Sequence, residues 1–229
     1  MKKLGINKNN RRNEMIKKPV DRKLPKSSLV RPLMQFYSVK NKAAMFCESQ
    51  LEKDVLKMLE FSPNVESYIT QPKSFKWKFA NKNLRYTPDV LVKFCDGKYE
   101  YVETKPLPKT TNKFFKKKFT ALQDKFINGQ NIELRLVTCE DARHADDHVL
   151  RHHLYRFLKN DIDGQRFTDI GMSTIPTISK ISLRELADAY ESEGFKDCDA
   201  YTFVARNFSK INFFGRPTLT TNSTINWRS

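Results

Sequence analysis

The chain has 229 residues, a length that allows one large domain or two small ones. Its formal net charge of +16 favours nucleic acid or an acidic protein surface as partner, although a basic protein need have neither. Its four cysteines stand far apart with no CxxC pair, which argues against a zinc ribbon or a disulfide framework and favours a reducing, cytoplasmic compartment. No segment approaches the ~20 apolar residues of a membrane span, and no signal-peptide pattern follows the basic N-terminus, so we expect a soluble protein.

The positive charge is concentrated at the start of the chain. Residues 1–31 hold eleven Lys and Arg residues against only Glu14 and Asp21, and few hydrophobic residues are grouped there. Such a composition cannot bury enough apolar surface to fold by itself. We therefore predict a basic arm over residues 1–40 that is mobile or ordered by a partner.

The following hundred residues carry the pattern of an α/β domain. Hydrophobic residues recur at helical spacing from Ala43, and Pro63 follows, so a helix is predicted over about residues 43–61. The predicted elements follow one another in the order helix, three strands, helix, strand. This order predicts an α/β fold with a mixed β-sheet flanked by helices. The predicted strands are 68–79, which is either long or bent, 85–94, 98–105 and 132–137, and the second helix is 110–127, ended by Asn128-Gly129.

The remainder of the chain predicts a smaller domain. A third helix is expected over residues 141–158, and residues 161–164 resemble a boundary. Two short helices and two strands then follow, which is the layout of a winged-helix module. These helices are 182–192 and 199–208, and the strands are 211–214 and 223–227. We therefore predict three regions: a basic arm at 1–40, an α/β domain at 41–162 and a winged-helix-like domain at 163–229.

Asp89 and Glu103 lie on neighbouring predicted strands, and the loop between these strands decides whether the two acids meet. With a two-residue turn at 96–97, Asp89 would face Thr104 and lie on the opposite side from Glu103. With a three-residue loop at 95–97 and its glycine in the left-handed conformation, Asp89 lies opposite Glu103. Only the second register builds a site. It also pairs Phe94 with Lys98 and Thr87 with Lys105, and sends Val90, Val92 and Val102 to the other face as core.

Two carboxylates at cross-strand distance repel each other, and a hard divalent cation relieves that repulsion. Mg²⁺ suits such oxygen ligands best because it accepts a few carboxylates and keeps open water positions. A lysine beside the acids, such as Lys105, can hold a hydroxide or offset the charge of a pentacovalent phosphate. The pattern therefore favours hydrolysis of phosphodiester bonds.

The residues Pro88-Asp89 followed by Glu103-Thr104-Lys105 resemble the signature of the PD-(D/E)xK nuclease superfamily. In that superfamily a glutamate on the first core helix often adds a metal ligand. Glu48 and Glu52 are the candidates, since they stand four residues apart on one predicted helix face. The order of elements predicted above is the core that this superfamily shares.

A closer resemblance is to the TnsA endonuclease subunit of heteromeric transposases, over about residues 43–138. The segments that carry it are 48–52, 59–65, 71–72, 86–89 and 101–106. The resemblance implies a Mg²⁺-dependent DNA endonuclease, with Mn²⁺ able to substitute. Such a subunit cuts the 5′ strands at transposon ends beside a DDE-type, TnsB-like transposase and an AAA+, TnsC-like ATPase. It implies that Glu52, Asp89 and Glu103 bind metal and that Lys105 is the catalytic lysine.

Other functions remain open from the sequence alone. A different PD-(D/E)xK enzyme, such as a restriction endonuclease or a junction resolvase, fits the motif, and so does a non-catalytic DNA- or protein-binding module that keeps the fold. Gln71 either lines the site or ends a strand. The proposed DNA-binding residues, which neutralise phosphates, are Lys113, Lys116, Lys117 and Lys118.

The four histidines are confined to a short segment, and three of them, His144, His148 and His152, have i, i+4, i+8 spacing. Such pairs can hold zinc, but a structural site needs four ligands, and few other candidates are near in sequence. A polar face of an amphipathic helix is therefore the favoured interpretation of this stripe.

Overall fold

The computed structural model describes residues 33–144, 147–215 and 218–228. Most of the predicted basic arm, residues 1–32, lies outside the described residues. The chain divides into two compact units: Met1–Val55 with Asn64–Cys139, and Leu56–Pro63 with Glu140–Ser229. The second unit thus begins earlier than the boundary predicted after residue 162. None of the described helices is both long enough and apolar enough to cross a membrane.

The elements up to the end of the first unit are, in chain order, β1 (Met34–Ser38), β2 (Ala43–Cys47), α1 (Gln50–Phe61), β3 (Val65–Thr70), β4 (Phe75–Phe79), β5 (Lys82–Tyr86), β6 (Val90–Phe94), β7 (Tyr99–Thr104), α2 (Leu107–Thr110), α3 (Lys113–Gln130) and β8 (Glu133–Val137). The central sheet has the order β3-β6-β7-β8. Its first three strands are antiparallel, whereas β7 and β8 are parallel, as the crossover through α3 requires. The predicted mixed sheet flanked by helices is confirmed.

The helix predicted over residues 43–61 is wrong in its first part. Strand β2 occupies that part and pairs with β1, which in turn lies within the predicted arm. Met45 and Cys47 are buried while Ala44 is exposed, so the period of burial is two rather than 3.6. Helix α1 begins only after Ser49, whose hydroxyl accepts from the Glu52 amide (3.1 Å) and donates to the Glu52 carboxylate (2.8 Å). This capping arrangement is what starts the helix.

The single strand predicted over residues 68–79 is also wrong. The chain turns at Gln71, which has a left-handed φ of 46°, and β4 then pairs with β5 in a separate two-stranded sheet. Positive φ values at Ala80 and Asn81 form the tight turn of this hairpin. The predicted strand over 85–94 is likewise divided, because residues 87–89 separate β5 from β6.

The three-residue loop between β6 and β7 is confirmed. Val90 pairs with Val102, the Phe94 amide donates to the Lys98 carbonyl at 2.9 Å, and Gly97 has a φ of 81°. All three predicted core valines are buried. The predicted pairing of Thr87 with Lys105 is wrong, because Thr87 lies outside β6 and its hydroxyl is 2.7 Å from that of Ser74.

Helix α3 covers one side of the sheet and extends beyond its predicted end. Asn112 caps its start by accepting from the Phe114 amide at 2.8 Å. Its end is capped by Asn131 in the left-handed conformation (φ 54°) and not by the predicted Asn128-Gly129. The core beneath this helix comprises Trp77, Leu91, Tyr101, Phe119, Leu122, Phe126, Ile132 and Leu134.

The later elements are α4 (Cys139–Ala142), α5 (Asp147–Leu154), a 3₁₀ turn (Phe157–Lys159), α6 (Gln165–Thr174), β9 (Ile181–Ser182), α7 (Leu183–Ser192), α8 (Asp197–Arg206), a second 3₁₀ turn (Phe208–Lys210), β10 (Ile211–Phe214) and β11 (Thr224–Trp227). The predicted helix over 141–158 is therefore broken, and α6 was not predicted. Strands β10, β11 and β9 form an antiparallel sheet. Three helices and three strands fit a winged-helix layout, and the assignment to that class stays a prediction.

Gly171 on α6 is required by close packing in the second unit. A Cβ at this position would lie 2.5 Å from the buried ring of Phe203. We expect Gly171→Ala to destabilise the protein by about 1–3 kcal/mol, because overpacking outweighs the better helix propensity of alanine. Gly129→Ala on α3 is the matched control, since nothing lies within 4 Å of its Cβ. A thermal melt in which Gly171→Ala unfolds no earlier than Gly129→Ala would contradict this packing.

Candidate active site

Asp89 lies in a bend one residue before β6, beside the end of β7. Its amide donates to the Val102 carbonyl at 3.0 Å. One carboxylate oxygen, Oδ2, accepts from both the amide and the hydroxyl of Thr104, at 2.7 and 2.8 Å. Two hydrogen bonds from one residue fix the orientation of the carboxylate, so the acid is held at the end of the sheet.

Glu103 is nearly inaccessible at 6% exposure, and both of its oxygens have partners. Oε1 forms an ion pair with Lys105 Nζ, and Oε2 accepts from the Tyr86 hydroxyl at 2.7 Å. Lys105 Nζ also donates to the Thr104 carbonyl at 3.1 Å. Since β7 alternates its faces, Glu103 and Lys105 leave the sheet on the same side, as the sequence predicts.

The glutamates at the start of α1 have different environments. Glu52 lies in the first turn, and its carboxylate accepts from Ser49 Oγ and from the Glu48 amide, both at 2.8 Å. Glu48 precedes the helix, so the predicted shared helix face is wrong. The side chain of Gln71 donates from Nε2 to Glu48 Oε1 at 3.1 Å. The backbone N–H of Gln71 donates to the backbone carbonyl of Asp89 at 2.7 Å. Gln71 therefore lines the site and links Glu48 to Asp89.

The acids of this cluster perturb one another. Burial raises the pKa of Glu52, Asp89 and Glu103 above the usual range, and the charge of Asp89 raises the pKa of the two glutamates further. Burial lowers the pKa of Lys105, but the charges of Glu103 and Asp89 outweigh this, so its net pKa is raised. Lys105 therefore stays cationic within a group of acids that resist ionisation together. The structure brings the four predicted residues into one electrostatic cluster.

The raised pKa of Asp89 makes stability depend on pH. The folded protein keeps a proton on this carboxyl at pH values where the unfolded chain has lost it, so in that window the free energy of unfolding falls as pH rises. Without divalent cations, we expect acidification from neutral pH towards the ordinary pKa of an aspartate to raise the melting temperature more in the parent than in Asp89→Asn. Equal shifts in the two proteins would contradict the raised pKa.

The donor set suits a hard divalent cation, because it consists of carboxylate oxygens whose mutual repulsion a cation would relieve. Gln71 adds a buried amide oxygen without a hydrogen-bond partner, which is a further oxygen ligand of the kind that such cations accept. Within the described part of the chain, no three His, Cys, Asp or Glu side chains are already arranged around a metal position. The chemistry fits, and side-chain rotation is needed to complete the coordination.

Two residues that contact the acids of the candidate site were missed by sequence reasoning. Tyr86 and Thr104 were noted as parts of motifs and received no role, yet each donates a hydrogen bond to an acid of the cluster. Tyr86 ends a strand of the β4–β5 hairpin, and no local pattern shows that this hairpin folds back onto β7. Thr104 stands between Glu103 and Lys105 in the sequence. A hydroxyl between two predicted site residues was a usable sign that Thr104 contacts the site.

The other predicted residues lie away from these hydrogen bonds. Helix α3 carries the four predicted DNA-binding lysines, of which Lys113, Lys116 and Lys117 are exposed. His144 precedes α5, so the predicted helical histidine stripe is interrupted, and His152 Nδ1 lies 2.7 Å from Lys57 Nζ.

Comparison with known proteins adds one match. The family model of the TnsA-like endonuclease N-terminal domain matches residues 62–139. This range contains Asp89, Glu103 and Lys105, and Glu52 lies before it. No curated protein matches the chain.

Proposed function

We propose that the chain is the metal-dependent DNA endonuclease subunit of a transposase and that it hydrolyses the 5′ strands at transposon ends. The match of residues 62–139 to the family model of the TnsA-like endonuclease N-terminal domain supports this proposal. The observation that supports this most is the electrostatic cluster in which Asp89, Glu103 and Lys105 at the end of the sheet interact with Glu52 in the first turn of α1. Buried acids of raised pKa around one lysine are costly for a purely structural role and suited to catalysis.

Glu52, Asp89 and Glu103 would hold the cation, with Mg²⁺ as the expected ion and Mn²⁺ as a substitute. The cation supplies a bound water of lowered pKa and positive charge at the scissile phosphate. Each acid is oriented by a neighbour: Ser49 at Glu52, Thr104 at Asp89 and Tyr86 at Glu103. Such oriented carboxylates keep lone pairs available, because an ionised carboxylate accepts at about four positions.

Lys105 would act on the reacting phosphate. The side-chain amine of Lys105 is protonated, because the charges of Glu103 and Asp89 raise its pKa. A positive charge at this position orients the attacking water and offsets the negative charge that develops on the phosphate oxygens. The lysine is part of the strand framework, since its amide donates to the Val137 carbonyl at 3.1 Å.

The partners proposed for the subunit are DNA, a DDE-type TnsB-like transposase and an AAA+ TnsC-like ATPase. A restriction or junction-resolving nuclease, and a non-catalytic module with this fold, are the competing functions. A strand-specific assay separates them: a transposon-end duplex labelled on each strand in turn, with Mg²⁺ and the partner transposase and ATPase. We expect cleavage of the 5′ strand that depends on this chain, and unchanged 5′ strands in the complete mixture would contradict the proposal.

A further inference from the structure

The β4–β5 hairpin has one face packed on the core and one face open to solvent. Trp77 is buried, and Phe75, Phe79, Leu84 and Tyr86 pack on the same core. Lys82 pairs with Phe79 and belongs to the same side of the hairpin as that residue. By the alternation of the strands, the other four residues share the opposite face, and all four are exposed: Lys76, Lys78, Asn83 and Arg85. We call these four residues the hairpin face.

The hairpin face carries unneutralised positive charge. Residues 72–87 contain five basic side chains and no acidic one. Lys76 pairs directly with Arg85 across the two strands, an arrangement of like charges that destabilises a hairpin. Among the described residues, neither of these side chains nor Lys78 forms an ion pair. A face of this kind is complementary to a polyanion.

The hairpin is tied to the candidate active site at its base. Tyr86, the last residue of β5, donates its hydroxyl hydrogen bond to Glu103 at 2.7 Å. The Ser74 and Thr87 hydroxyls, which flank the two strands, lie 2.7 Å apart. A polyanion on the hairpin face would therefore lie on an element that contacts a catalytic carboxylate.

The other end of the hairpin approaches helix α3. The rings of Phe79 and Phe114 lie 5.9 Å apart in an edge-to-face arrangement. Phe114 belongs to the first turn of α3, where Lys113, Lys116 and Lys117 are exposed. This contact, made from the packed face of the hairpin, brings the start of α3 and its exposed lysines close to the turn end of the hairpin.

From this arrangement we propose that the hairpin face binds the phosphate backbone of duplex DNA next to the cleavage site. The proposal rests on the nuclease function proposed above and names an additional surface for the same substrate. Phosphates follow one another on a DNA strand every ~3.4 Å of helix axis, whereas Lys76 and Lys78 are separated by two residues of extended strand, or about 6.8 Å. The row of charges can therefore face more than one phosphate, and it would position DNA without reading its sequence.

The test measures binding of the full-length chain to an arbitrary duplex of about 30 base pairs, without divalent cation and over a range of salt concentrations. The variant is Lys76→Gln/Lys78→Gln/Arg85→Gln. The control, Lys42→Gln/Lys98→Gln/Lys210→Gln, removes the same charge from exposed positions elsewhere. We expect the hairpin variant to bind on the order of tenfold more weakly or worse, with a salt slope smaller by about 2 to 3, and the control to change the slope by less than about 1.

Two further readouts exclude misfolding as the cause. The hairpin variant should melt at or above the parent temperature, because it loses a repulsive pair of like charges. Asn83→Lys adds a charge to the same face and should steepen the salt slope by about 1. The proposal would be overturned if the hairpin variant kept the salt slope of the parent, or if the control variant lost as much DNA affinity as the hairpin variant. It would also be overturned if the hairpin variant bound DNA like the parent and only an acidic protein surface more weakly. Binding without cation needs no cleavage, so failure of the hairpin face and failure of the nuclease function are distinguishable.

Discussion

Replacing Lys105 by methionine should lower the rate of metal-dependent DNA cleavage on the order of 10²-fold or more, because the developing charge on the phosphate then lacks its cation. Methionine resembles the aliphatic part of the lysine side chain in size and shape and lacks the ammonium. The ion pair with Glu103 is lost as well, but that acid can take up a proton since its pKa is raised. The measurement is the initial rate of cleavage with Mg²⁺ and the partner transposase present.

Lys93→Met is the matched control for this variant. Lys93 also pairs with a glutamate, Glu66, on the same sheet, but at an exposed position. Lys93→Met should cleave at the parent rate, because an exposed ion pair contributes at most about 1 kcal/mol to stability. The Lys93–Glu66 pair also makes no contact with the acids of the candidate site. If both lysine variants cleave equally well, Lys105 has no catalytic role.

Glu52 should be separable from its neighbour Ser49 by a crossed pair of variants. Glu52→Gln keeps an oxygen that can complete the cap, so it should melt close to the parent and cleave on the order of 10²-fold more slowly. Ser49→Ala removes the cap and keeps the carboxylate, so it should lose about 1 kcal/mol of stability and cleave near the parent rate below its melting temperature.

A different result for Glu52→Gln is expected if Glu52 serves only to begin helix α1. Glu52→Gln would then cleave like the parent, and only the loss of stability in Ser49→Ala would be seen. Glu48→Gln provides the third comparison, because the Glu48 side chain accepts from Gln71 and only its backbone amide takes part in the cap. Loss of cleavage in Glu48→Gln alone would transfer the role of metal ligand to that residue.

The register of the site could be predicted because it depends on local chemistry. Gly97 accommodates the left-handed conformation that the three-residue loop requires, and only the register of that loop sends Val90, Val92 and Val102 together to the core. Once the loop length is known, the positions of Asp89 and Glu103 follow by counting. The parallel pairing of β7 and β8 follows similarly from the long crossover between them.

The parts that were missed depend on contacts distant in sequence or on ambiguous local signals. Residues 43–47 contain alanine, methionine and cysteine, which fit a helix as well as a strand, and only pairing with β1 decides between them. The Ser49-x-x-Glu52 spacing was a usable sign that the helix begins later. Gln71 adopts a positive φ although it is not glycine, so this residue type does not announce the turn, whereas Pro72 directly after it was a usable sign that the strand is interrupted. The contact of Tyr86 with Glu103 exists only after the hairpin has folded against the sheet.

The most direct test of the proposed site is cleavage by Asp89→Asn, measured over a range of Mn²⁺ concentrations with the partner transposase present. Asparagine retains an oxygen for the hydrogen bonds from Thr104, so the fold should persist and the melting profile should confirm it. We expect no cleavage above background at any Mn²⁺ concentration, because a neutral amide cannot replace the carboxylate as a metal ligand. Cleavage by Asp89→Asn at the parent rate would contradict the assignment of this cluster as the nuclease site.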